Sequence, residues 1–208
     1  MHPTSPIRAV QCWGDSLTAG YGAAPSAGWV PRLSRRFPQL AFYNHGVCGR
    51  FFSDILADAW TVVHYPAEGE LLFLMGGTND ILCGVRYEAL CRAAEKEIRA
   101  LAARIPVVLG VPLLTTRASI AAGWQQEWQY EGTNGTLRRY GDFLRALAAE
   151  LAFPVLDFQA AFPQDDALYA DGVHPNGEGY ARMAGTAAPF FAALAEPAAP
   201  PRPDAEKA

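Results

Sequence analysis

Four short polar blocks carry side chains suited to acyl transfer: Gly14-Asp15-Ser16-Leu17, Asn44-His45-Gly46, Gly77-Thr78-Asn79-Asp80 and Asp171-Gly172-Val173-His174. A serine hydroxyl becomes a nucleophile when a base lies within about 2.6–3.2 Å and a third group fixes the tautomer of that base. Asp171 stands three residues before His174 in a turn-forming Asp-Gly-Val-His-Pro-Asn run. Its carboxylate can therefore reach His174 Nδ1 within one turn, leaving Nε2 to take the Ser16 proton. The charge that develops on the acyl oxygen calls for donors already in place. The Ser16 N–H, the Gly46 N–H and the Asn79 amide beside Gly76-Gly77 are the candidates, Gly46 because no side chain shields its backbone. An Asp/His pair can also cap a helix, and Asn-x-Gly by itself is most often a plain turn. It is the four blocks together that point to chemistry.

Such blocks need a frame that brings distant parts of the chain to one edge. Apolar runs at residues 9–13, 40–43, 71–75, 105–109 and 155–158 read as strands, the 71–75 run being buried on both faces. Helical spacing marks 28–37, 53–64 with Ser53 as N-cap, 87–104, 137–151 and 177–194. Five strands separated by helices predict a parallel α/β sheet covered on both faces. In such sheets ligands bind at the carboxyl ends of the strands, and the four blocks follow strands one, two, three and five. Residues 110–136 are too long for an ordinary connection and hold Trp124, Trp128 and Tyr130, so they read as a lid or a local cover. Residues 1–195 form one domain in this reading, and the Pro/Ala-rich stretch 196–208 a flexible tail.

Composition excludes several classes. The 208 residues carry 17 Lys and Arg against 21 Asp and Glu, a net charge of −4, with 50% hydrophobic residues. That balance suits a packed globule and leaves no basic footprint for a nucleic acid. No apolar run approaches the roughly 20 residues of a membrane span, and the amino-terminal residues have no signal-like apolar stretch. Cys12, Cys48, Cys83 and Cys91 lack C-x-x-C spacing, so they are expected to be reduced thiols in a cytoplasmic protein. His45, Asp54, Asp58 and His64 lack the spacing of a preformed metal site, and phosphate-loop and dinucleotide glycine patterns are missing, so no metal or other cofactor is expected. Position 18 is Thr where the G-x-S-x-G elbow needs Gly.

In order and spacing the blocks resemble those of the SGNH hydrolases, the GDSL esterase/lipase family, over roughly residues 9–190. The run Gly14 to Tyr21 with Trp29 downstream is similar to the thioesterase I/lysophospholipase L1 branch, while Cys48 stands where many relatives carry Ser. The resemblance implies a three-layer α/β/α flavodoxin-like fold, Ser16 as nucleophile, Gly46 and Asn79 as oxyanion donors, and Asp171/His174 as the acid–base arm. Trp29, Leu113, Trp124, Trp128 and Tyr130 are the candidate substrate-binding residues for a small ester or thioester. Asp15 and Asp80 are expected to brace their turns, and His45 to be an exposed turn residue. Alternatives with the same residues are a carbohydrate acetylesterase and an acyltransferase; a non-catalytic flavodoxin-like binding module is the alternative of another class. The sequence leaves the oligomeric state open.

Overall fold

Strand β1 (Ala9–Gly14) is flanked by β2 (Ala41–Gly46) and β3 (Glu70–Met75), and β4 (Val107–Val111) and β5 (Val155–Asp157) extend the sheet on the β3 side. These strands belong to a computed structural model that describes residues 6–64 and 67–195. The order is β2-β1-β3-β4-β5 and every pairing is parallel, as strands joined through helical crossovers can be. The expected tail, residues 196–208, lies outside the described residues.

The helices are α1 (Ser16–Ala19), α2 (Trp29–Arg36), α3 (Phe52–Val63), α4 (Thr78–Leu82), α5 (Tyr87–Ala102), α6 (Ala118–Ala121), α7 (Glu127–Leu151), α8 (Phe158–Ala161) and α9 (Gly177–Ala195). Strand residues alternate between two cores. Val10, Cys12, Leu71, Phe73 and Met75 pack under α2 and α9 against Leu33, Tyr180, Met183 and Phe191. Leu72, Leu74, Val107 and Leu109 face α3, α5 and α7 through Ile55, Leu56, Ile98, Tyr140 and Leu144. The result is the expected three-layer α/β/α arrangement. Gly14 pairs with both Gly46 and Met75, so β1, β2 and β3 end together and release their polar blocks at one rim.

Several boundaries differ from the sequence reading, and strand β2 runs 41–46 rather than 40–43, so that Asn44-His45-Gly46 lies within it and not after it. Strand β4 runs 107–111 rather than 105–109, because Pro106 has no N–H for the ladder and offers only its carbonyl, to Leu72 N at 2.9 Å. Helix α3 is capped from Phe51, not Ser53; its Phe52 N–H is taken by the distant carboxylate of Asp80, at 2.9 Å. Helix α7 starts at Glu127 instead of 137, behind a reciprocal capping box between Gln126 and Gln129. Much of the apparent long loop is therefore helix.

Candidate active site

The Ser16 block begins where β1 stops. A side chain at Gly14 would collide with Thr18 and the Met75 carbonyl, so glycine lets the chain turn directly into α1. Asp15 caps that helix, accepting from Leu17 N at 2.9 Å. It is wholly buried, its second oxygen has no partner, and burial pushes its carboxyl up to about 7. Ser16 follows, 5% exposed at the rim. Trp29 is not beside substrate as the sequence reading had it. It is fully buried beneath α1, its Nε1 donating to Leu17 O at 3.1 Å and its ring packed on Phe73 and Phe158. Leu113 likewise belongs to the core.

His174 lies 158 positions away in sequence, yet its Nε2 is 2.9 Å from Ser16 Oγ. His174 Nδ1 is 2.8 Å from Asp171 Oδ2. Asp171 Oδ1 accepts from Val173 N at 3.0 Å and His174 N at 2.8 Å. Burial alone would raise the Asp171 carboxyl, but these donors and the imidazole outweigh it and hold it below its ordinary value. His174 itself is buried.

Beyond β3, Gly77 adopts φ 104° under the Tyr140 ring, where a side chain would not fit, and α4 begins. Asn79 Nδ2 donates to Arg50 O at 2.9 Å, which leaves its second amide hydrogen uncommitted and ties the 49–50 turn beside it. Asp80 braces this block through Phe52 N, and burial raises its carboxyl. The single Gly46 N–H is already committed: it donates to Asn44 Oδ1 at 2.9 Å, and the Ala19 backbone crowds its Cα. Three residues on, Gly49 has φ 77°, open space above its Cα and an N–H with no partner among the described residues. The sequence signal for it was the second glycine of Asn44-His-Gly-Val-Cys-Gly.

The aromatic candidates scatter. Trp124 meets the His174 ring edge-on at 5.1 Å. Trp128 is 80% exposed in a groove with Ile81, Leu82 and Val85 that opens beyond Asn79 on α4. Tyr130 lies beneath the Arg117 guanidinium, 5.1 Å from its ring, in a separate polar groove with Arg138 and Gln164. Tyr21, passed over in the sequence reading, sits with its ring 4.6 Å from that of His174. His45 is no loose turn residue; it stacks on Trp13 at 4.2 Å and pairs with Gln11 Oε1 at 2.7 Å. The four cysteines are unpaired, with Cys12 buried and Cys48 exposed.

The model of the GDSL-like lipase/acylhydrolase family matches residues 12–182. This chain belongs to that family. A search of curated proteins finds no match. Among solved structures, a member of the lipolytic G-D-S-L family from Veillonella parvula is 29% identical, with a TM-score of 0.75 over 88% of this chain and 98% of that one. Two more distant structures share the fold. A carbohydrate acetylesterase family member from Sinorhizobium meliloti is 20% identical, with a TM-score of 0.71 over 91% of this chain and 99% of that one. The aryl esterase of M. smegmatis is 16% identical, with a TM-score of 0.74 over 90% of this chain and 100% of that one. The GDSL family member described here is accordingly an ester hydrolase with the α/β fold of its relatives. Among the described residues no helix is long and apolar enough to cross a membrane, and no group of three or more His, Cys, Asp or Glu side chains is placed to hold a metal ion.

Proposed function

We propose that this GDSL hydrolase cleaves carboxylic esters or thioesters through an acyl-Ser16 intermediate. The observation that carries the reading is the continuous relay from Ser16 Oγ to His174 Nε2 (2.9 Å) and from His174 Nδ1 to Asp171 Oδ2 (2.8 Å). Ser16 Oγ attacks the acyl carbon as His174 Nε2 takes its proton; Asp171 stays ionised, steadies the imidazolium and fixes the tautomer. His174 then protonates the leaving alcohol or thiol, and next draws a proton from the water that releases the acid. The oxyanion is met by the N–H groups of Ser16 and Gly49 and by the free amide hydrogen of Asn79, with Gly49 taking the place first given to Gly46. Asp15 holds the Ser16 turn as a predominantly neutral carboxylic acid below pH 7, which keeps a second negative charge away from the oxyanion.

The leaving group lies against Tyr21 and Trp124, which are 53% and 42% exposed beside the imidazole. Two open aromatic faces favour a ring-shaped leaving group, an aryl alcohol or an acetylated sugar, so carbohydrate acetylesterase activity is the second reading. The four unpaired cysteines agree with the expected cytoplasmic location.

A fluorophosphonate probe should label Ser16, read by peptide mass, and should not label the Ser16→Ala variant. Failure to label the intact enzyme would revive the binding-module alternative. Turnover of p-nitrophenyl esters of rising acyl length, an acyl-CoA and acetylated xylo-oligosaccharides then separates the substrate classes, and product analysis with added alcohol separates hydrolysis from acyl transfer.

A further inference from the structure

Asp171 receives one more donor than the relay uses: Trp124 Nε1 lies 2.9 Å from Oδ2, the same oxygen that faces His174 Nδ1. The carboxylate thus accepts four hydrogen bonds, two backbone N–H groups on Oδ1 and two ring N–H groups on Oδ2. The indole also closes one edge of the imidazole, opposite in sequence to Tyr21, which closes another.

This contact is held by a small scaffold of its own. Helix α6 is fastened to the catalytic turn: Thr116 N donates to Gly172 O at 2.8 Å, and a side chain at Gly172 would collide with the Ser119 backbone. Ser119 and Thr115 are cross-linked by buried Gln125, whose Nε2 reaches Ser119 Oγ at 2.7 Å and Thr115 Oγ1 at 2.9 Å. Buried Asn134 of α7 holds Thr115 from behind, donating from Nδ2 to Thr115 Oγ1 at 3.0 Å and accepting from Thr115 N at 2.9 Å. Gly123, at φ 82° with nothing crowding its Cα, ends α6 and swings the next residue back toward the turn; Trp124 N then bonds Ser119 O at 2.9 Å. An indole merely covering a core would not need its N–H aimed at a carboxylate through so many fixed steps.

We propose that Trp124 is a positioning residue that sets the orientation of Asp171 and, through it, that of His174. The inference rests on the hydrolase reading of Ser16, His174 and Asp171. A donor on Oδ2 holds that oxygen between the indole and the imidazole. The same donor pins the carboxylate in the plane of the ring. The other titratable groups around the pair are Tyr21 at the ring edge and Tyr180 of α9, whose hydroxyl donates to Tyr21 O at 2.7 Å and which feels both Asp15 and Asp171.

The test compares Trp124→Phe, which keeps the ring and loses the N–H, with Trp124→Ala, on the full-length enzyme and one activated ester. Removing the N–H should lower kcat/KM about fivefold, the scale of one neutral hydrogen bond. The low-field Nδ1 proton resonance of His174 should shift in the same variant while its circular dichroism matches the parent. A Trp124→Phe enzyme whose kcat/KM and resonance match the parent, with loss confined to Trp124→Ala, would make Trp124 only a wall and overturn the proposal. A Ser16→Ala control run alongside separates the two ideas: if it retains turnover the hydrolase reading itself has failed, whatever Trp124 does.

Discussion

Two aspartates serve the two arms of the site, and their surroundings are opposite. Asp15, on the nucleophile arm, is fully enclosed, has one donor on one oxygen and none on the other, and is pushed up to about 7. Asp171, on the acid–base arm, is half-open, meets four donors and is held below its ordinary value. The residue type is the same, so the number of donors set against the depth of burial decides which carboxyl carries charge. One is a turn-holding acid and the other an anion that faces the imidazole.

The contrast can be attacked at several strengths. The largest effect belongs to Ser16→Ala, which should reduce kcat by at least about 10⁴-fold with the melting temperature unchanged, since only a rim hydroxyl is lost. His174→Ala should match it. Asp171→Asn should fall short of both by about an order of magnitude, because the base survives while its tautomer is lost. Comparable activity in all three variants would dismantle the assignment. Next comes Asn79→Ala, at about 10²–10³-fold in kcat, the scale of a single oxyanion donor. Asp15→Asn should be far milder, under about tenfold at pH 6, because an amide mimics the neutral acid. If it cost as much rate as Asp171→Asn, the distinction between the two carboxyls would be gone.

The smallest effect is the most specific. Folded Asp15 keeps its proton up to about pH 7, whereas the unfolded chain releases it near pH 4, so this group makes stability fall as pH rises between those values. Asp171 acts in the opposite sense. Its depressed folded value contributes stability above about pH 4 that is lost as pH falls through the folded value. Thermal melts from pH 3 to 8 should show Asp15→Asn flattening the decline toward neutrality, in part only because Asp80 shifts the same way. Asp171→Asn should flatten the acid-side loss instead. Parallel melting curves for both variants would refute the opposed environments.

The parts of this molecule that could be read in advance are those where residue type alone restricts the chemistry. A serine after a buried strand, and an Asp three residues before a His in a turn, have few other uses in such company, and the alternation of apolar runs reveals the sheet. Gly49 escaped because glycines look alike in sequence. Which one offers a free N–H depends on the Asn44 side chain having already claimed that of Gly46. Trp29 was misplaced for a related reason: an indole suits a pocket or a core equally, and only the Leu17 carbonyl beside its Nε1 decides. The start of α7 was hidden by Gly132, Gly135 and the polar residues between them, weak helix formers that tertiary packing overrides. The cap of α3 comes from Asp80, 28 positions from the amide it accepts, beyond the reach of any local pattern.

The 158-residue separation between Ser16 and His174 has a bearing on biosynthesis. On the proposed relay, a nascent chain that still lacks its last strand and the turn after it has no His174 beside the Ser16 hydroxyl. Parallel strands joined through long crossovers close slowly compared with local contacts, so the acquisition of turnover during refolding reports the docking of the carboxyl-terminal third onto a sheet already begun.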